Sequence, residues 1–112
     1  MTPTGTDLDE FVLRTIQAAY LGGRVYKTKD CMADMDLARL YEADVEKVIM
    51  DGVSIEKAMS ATSERASSPL NTHYVIQGTS TKGVEVYCKV CSNYHPVTNE
   101  FVCWKLTSFT NK

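Results

Sequence analysis

The sequence predicts an α+β domain in which N-terminal helices pack on one face of a three- to four-stranded antiparallel sheet. Two observations carry this expectation. Up to about residue 52 the apolar residues recur at intervals of three and four; beyond it Ser, Thr, Val and Tyr accumulate and apolar and polar residues alternate. Helices followed by consecutive strands with short connections imply a meander covered on one side. A chain of 112 residues, 44% hydrophobic and 23% charged, suits one core. It shows no internal repeat or dividing linker, so a single domain is expected over 1–112, with helices over about 6–52 and sheet over about 53–109.

Each element has its own warrant. Thr6 and Asp7 precede Leu8, Phe11, Val12, Ile16, Ala19 and Tyr20 at helical spacing, Asp7 and Glu10 stand at capping-box distance, and Gly22-Gly23 stop the run. After the turn GGRVYK, Thr28 caps a second helix to about Leu40, with Met32, Met35 and Leu37 apolar and Asp30, Asp34 and Asp36 turned to water. A third helix runs from about Glu42 to Met50 on Val45, Val48 and Ile49, ended by Asp51-Gly52. VSIEKAMS (53–60) fits either a short helix or an edge strand, and ATSERASSPLN (61–71) reads as a loop. THYVIQG (72–78), VEVYCKVC (84–91) and FVCWKLTSF (101–109) read as strands, joined by STKG and SNYHPVTNE.

Charge is segregated along the chain. Residues 1–65 hold 12 acids and 8 bases, giving −4; residues 66–112 hold 2 acids and 4 bases, giving +2, which sums to the overall −2. An acidic chain of this kind can still offer one basic face to a phosphate backbone. No apolar run approaches the roughly 20 residues of a membrane helix, and MTPTGTDLDE lacks the basic and apolar regions of a secretory signal, so a cytoplasmic protein without membrane contact is expected.

In a reducing compartment Cys31, Cys88, Cys91 and Cys103 are free thiols or metal ligands before they are disulfides. A zinc site would draw on Cys88, Cys91, His95 and Cys103, a C-x2-C-x3-H-x7-C spacing adequate for tetrahedral coordination. Strand geometry opposes it, because residues three apart in a strand point to opposite faces and Lys89-Val90 continues the strand where a zinc turn must bend. Free thiols, and no cofactor, are the expectation; a small zinc-stabilised module is the alternative.

If Val84, Val86, Cys88 and Val90 face the core, Glu85, Tyr87 and Lys89 stand on the other face, joined by Lys105 and Thr107 of the last strand. Such a face is either plain solvated surface or an RNA surface. Lys binds phosphate, and Tyr stacks on a base or passes a proton, so together they promote attack of a ribose 2′-hydroxyl on its own phosphate. His73 and His95 are the only histidines and either can serve as a base.

The element order and the segments GRVYKTKDCMADMDLARL, VEKVIMDG, EKAM, VEVYCKV and the closing TSF resemble the MqsR-type toxins, small ribonucleases of RelE-like fold, and related RelE-like domains such as the BrnT toxins. The similarity extends from about Phe11 to Phe109. It implies an mRNA-cleaving toxin held in check by a cognate antitoxin protein, acting on free or ribosome-bound message. The lysine and tyrosine that such toxins use correspond to Lys57 and Tyr87. Their glutamine falls near His73 or Tyr74, with Gln77 close by, and their final lysine falls on Thr110, for which Lys105 or Lys112 would have to substitute. The resemblance therefore implies Lys57, Tyr87 and His73 as catalytic residues and Lys89, Lys105 and Tyr74 as RNA-binding residues. A binding module of the same fold with no chemistry of its own is the competing expectation.

Overall fold

The computed structural model describes residues 5–60 and 70–111; of residues 5–8 and Ser60 only the backbone is described. Its elements run α1 (Gly5–Leu21), β1 (Val25–Lys27), α2 (Lys29–Ala38), α3 (Glu42–Asp51), β2 (Lys57–Ser60), β3 (Thr72–Thr79), β4 (Glu85–Tyr94) and β5 (Phe101–Asn111). The sheet has five strands in the order β1-β5-β4-β3-β2. Three pairings are antiparallel and β1 lies parallel to β5, so the sheet is mixed where three to four antiparallel strands were expected. The two additional strands are both edges. β1 occupies VYK within the supposed turn, too short for alternation to register, and β2 resolves the ambiguous stretch before residue 60 as a strand.

Helix ends follow local chemistry. The Thr28 side chain accepts from the Cys31 N–H at 3.2 Å and starts α2, and Arg39 ends it in the left-handed region at φ 55°. α1 begins at Gly5, ahead of the expected cap at Thr6 and Asp7, whose side chains lie outside the described residues. In α2 the buried residues are Cys31 and Met35, whereas Leu37 is 86% exposed, because the helix turns its 31/35 stripe onto β5. The loop expected over 61–71 falls, for 61–69, outside the described residues.

All three helices lie on one side of the sheet. Leu13, Ile16, Cys31, Met35, Val45, Val48 and Ile49 meet Ile76, Val86, Cys88, Val90, Leu106 and Phe109 in one core. α3 comes closest at Gly78, where an added Cβ would stand 3.1 Å from Val48 Cγ1, tighter than ordinary packing allows. The connection between β3 and β4 turns through Gly83 at φ 81°. Val84, expected in the core, precedes β4 and is exposed.

Two polar clusters fix the helices to the sheet. Asp44, 1% exposed, accepts from the Tyr41 N–H at 2.8 Å, the Thr81 N–H at 2.8 Å and Thr81 Oγ1 at 2.7 Å, tying the N-terminus of α3 to the β3–β4 turn. Burial alone would raise its pKa, but these hydrogen bonds favour the carboxylate and hold it below the usual range. Glu42, in the first turn of the same helix, takes the Lys27 ammonium at 2.6 Å and the Tyr20 hydroxyl at 2.6 Å, linking α1, β1 and α3. Tyr20 is pushed above its ordinary pKa by burial and then by this hydrogen bond.

Replacing Asp44 by Ala leaves the Thr81 and Tyr41 donors without their acceptor and is expected to lower unfolding stability at pH 7 by about 2–4 kcal/mol in urea denaturation. Because the folded pKa lies below the unfolded one, the contribution is complete above the unfolded value of about 3.9 and disappears as pH falls through the folded value. The gap between wild type and Asp44→Ala must therefore narrow on acidification below about pH 4; a gap independent of pH would show that the carboxylate charge is not what stabilises the turn.

Candidate functional site

The helices cover the side chains of Val86, Cys88 and Val90, so alternation delivers Glu85, Tyr87, Lys89, Cys91 and Asn93 to the opposite face. Pairing then sorts the neighbouring strands into rows. Lys57, Val75, Lys89 and Ser108 form one row across β2, β3, β4 and β5. Met59, His73, Cys91, Lys105 and Tyr26 form the next, and Gln77, Tyr87 and Thr110 the row on the other side. Among the described residues no helix packs on this face.

The face thus brings together Lys57, His73, Tyr87, Lys89 and Lys105. Lys57 and Lys89 are separated by two strand spacings, about 10 Å between Cα atoms, close enough for both ammonium groups to reach one phosphate. Tyr87 and Lys89 are successive residues on one face of one strand, about 7 Å apart along it. Val75 and Cys91 between them are 0% and 4% exposed although they lie outside the helix-covered core, so the face has an apolar floor beneath its charged rim. Flanking lysine stems are suited to cover such a floor while their ammonium groups stay in water.

Tyr74 does not join them. It pairs with Val90, shares that residue's face, and packs edge-on against Trp104 with ring centres 6.0 Å apart; burial raises its pKa. Thr107 is also displaced, because the sheet is irregular between Lys89 and Val90; Ser108 takes the place opposite Lys89, and Thr107 Oγ1 donates to the Lys89 carbonyl at 3.3 Å. A second irregularity between Asn93 and Tyr94 turns Phe101 onto Trp104, 5.4 Å away, where strict alternation would place it on the face of Cys103. Lys112, the other possible substitute for a terminal lysine, lies outside the described residues.

His73 is the titratable group with a distinctive setting. Burial, and second the charge of Lys89, lower its pKa, so its imidazole is neutral at pH 7 and able to accept a proton. His95 sits in the β4–β5 turn, where its Nδ1 accepts from the Val97 and Thr98 N–H groups at 3.1 and 3.2 Å. That is a turn-forming role.

The four residues of the suggested zinc knuckle do not converge. Cys88 is buried under the helices and Cys91 points the other way, as strand alternation requires, and among the described residues no group of three or more His, Cys, Asp or Glu side chains is placed to hold a metal ion. Burial raises the thiol pKa of Cys31 to about 11 and also raises those of Cys88 and Cys91.

What sequence reading missed is Tyr26, which β1 adds to the Lys105 row, and the buried Val75–Cys91 floor. The only signal for Tyr26 was an apolar-aromatic pair after Gly22-Gly23; for the floor it was the hydrophobic Val75 at a position that alternation assigns to the charged face. Compared with known protein families, curated proteins and solved structures, the chain matches none.

In a proton-detected titration the His73 imidazole is expected to change state below pH 6.5, its ordinary value. Lys89→Met should move that midpoint upward but leave it below 6.5, since burial is the larger cause. A midpoint unmoved by the substitution would mean that the two side chains do not share an environment.

Proposed function

We propose that this protein is the toxin of a toxin–antitoxin pair, a RelE-like, metal-independent endoribonuclease that cleaves single-stranded mRNA on the sheet face turned away from the helices. The observation that carries the reading is the gathering of Lys57, His73, Tyr87, Lys89 and Lys105 on that one face by strand register. The MqsR-type resemblance adds to it, since Lys57 and Tyr87, drawn from segments thirty residues apart, fall within one row of each other. It also bears on which residue stands for the toxins' glutamine: His73 and Gln77 share the face and Tyr74 does not.

The chemistry is transesterification. His73, neutral at pH 7, takes the proton from a ribose 2′-hydroxyl, which Tyr87 orients; the 2′-oxygen forms a bond to the adjacent phosphorus while the bond from phosphorus to the 5′-oxygen breaks. The leaving 5′-oxygen takes a proton from Tyr87 or water. Lys57 and Lys89 stabilise the charge that develops on the non-bridging oxygens, and Lys105 holds the strand beyond. The products are a 2′,3′-cyclic phosphate and a 5′-hydroxyl. Thr110 stands beside Tyr87 where the related toxins carry a lysine, so here the cationic work falls to Lys57 and Lys89. The protein partner is an antitoxin that covers this face.

Induced in cells, the wild-type chain is expected to arrest growth and to create new RNA 5′ ends bearing hydroxyl groups. Lys57→Ala, Tyr87→Phe and His73→Gln should each lower cleavage of a purified RNA by about 10²-fold or more while remaining folded. Cleavage that survives all three substitutions, or that leaves a 3′-hydroxyl, refutes the mechanism. Folded wild-type protein without arrest or cleavage would favour a non-catalytic binding module.

A further inference from the structure

A cleft of about 600 Å³ opens between α1 and the first residues of β5, a volume in the range of small-molecule sites. Its walls include Phe11 from α1, Tyr26 from β1, and Phe101 and Trp104 from β5. Three of those rings are accessible: Phe11, Tyr26 and Phe101 are 68%, 57% and 47% exposed. Aromatic rings left so open on a chain with a complete core elsewhere are available to a flat partner. The cleft exists because β1 pairs only with Trp104–Leu106, leaving Phe101–Cys103 without a strand on that edge among the described residues.

Two guanidinium groups, from Arg14 and Arg24, also line it. Arg14 is engaged by the Glu10 carboxylate at 2.6 Å. Arg24 has no side-chain hydrogen bond or ion pair among the described residues, so its fork of donors is free for an anion. The cleft is also continuous with the catalytic face: Tyr26 lines the cleft and is the register partner of Lys105, whose row leads through Cys91 to His73. Exposed rings, a free guanidinium and a lysine, Lys105, between the cleft and the reacting centre make up the elements of a single-stranded nucleic-acid groove.

We propose that this cleft holds a nucleotide of the RNA strand that flanks the cleaved bond, its base stacked on the Tyr26 and Phe101 rings and its phosphate held by Arg24. The inference rests on the ribonuclease reading and extends it: the strand leaves the catalytic face over Lys105, passes the β1 edge at Tyr26, and ends in the cleft. Recognition there is by stacking and charge, so it tolerates any base and lengthens the footprint on the RNA beyond the two nucleotides of the scissile bond.

Trp104 is the only tryptophan of the chain and lines the cleft, so its fluorescence reports occupancy directly. The probe is a short single-stranded 2′-O-methyl RNA, which has no free 2′-hydroxyl and cannot be cleaved by the proposed route. Saturable binding with a change in Trp104 emission is expected for the wild-type protein. Arg24→Ala should weaken binding and flatten the plot of log affinity against log salt by about 0.7, the share of one phosphate on a single strand. Tyr26→Ala should weaken it by about fivefold or more through lost stacking. Both residues are exposed at the surface, so the variants test binding and not folding.

If Arg24→Ala and Tyr26→Ala bind the oligonucleotide as the wild type does while Lys89→Ala binds it poorly, the cleft proposal is overturned and the catalytic face stands. If the wild type cleaves no RNA yet binds the oligonucleotide with dependence on Arg24, the ribonuclease reading fails and the cleft remains a nucleotide site. Absence of any Trp104 response overturns the cleft, as does an equal, Arg24-dependent response to phenylacetate, which would assign it to small aromatic carboxylates.

Discussion

Burial of Val86, Cys88 and Val90 beneath the helices is the constraint on which the rest of the structure depends. β4 is the middle strand of five, and its side chains alternate with a period of two, so fixing three of them inward fixes Tyr87 and Lys89 outward. A one-residue slip would carry Lys89 and Tyr87 under α3 and expose three apolar side chains. Desolvating one unpaired ammonium alone costs several kcal/mol, which makes that register unreachable. The position of the candidate site is therefore decided by residues that take no part in it. Phe109, Leu106 and Ile76 transmit the same phase to β5 and β3, which is why Lys105, Ser108 and His73 share the face of Lys89.

The polar clusters act at the margins of this arrangement. Asp44 holds the turn between β3 and β4, so it sets where β4 begins and with it the height of Tyr87 in the sheet. Glu42 collects Lys27 and Tyr20 and so fastens β1 between α1 and α3. A three-residue edge strand buries little and has few ladder bonds; an anchor outside the ladder is what such a strand needs. Its shortness has a second effect, since the β5 residues it fails to cover become one wall of the aromatic cleft.

Legibility in the sequence followed the number of periods each element contains. α1, with 17 residues, and the ten and eleven residues of β4 and β5 announced their type, and β4 its inward residues Val86, Cys88 and Val90. β1 and β2, with three and four residues, hold at most two alternations and were read as turn and as ambiguous. The parallel pairing of β1 with β5 joins residues about eighty positions apart, beyond any local signal. Of the candidate site, Lys57, His73, Tyr87, Lys89 and Lys105 could be named from residue chemistry and resemblance. Tyr74 falls one residue out of phase with this face: as the partner of Val90 it faces the helices, and only the β3–β4 register, set by the turn at Gly83, says so. The irregularities that displaced Thr107 and Phe101 likewise leave no pattern in sequence.

The acidic total of the chain is not an argument against an RNA ligand, because the charges are separated in space as well as in sequence. Asp30, Asp34 and Asp36 lie on α2, and Glu42, Glu46 and Asp51 on α3, all on the helical side of the sheet. The other face presents Lys57, Lys89 and Lys105 against Glu85, which stands at its far end beside Thr79. At physiological salt exposed charges are screened within about 8 Å, less than the thickness of a sheet with a helix layer behind it, which is about 10 Å or more. A phosphate approaching the lysines is thus governed by the three cations it meets and feels little of the carboxylates behind the core. The same separation leaves the acids of α2 and α3 behind the core, so a polyanion meets least opposition on the face of Lys57, Lys89 and Lys105.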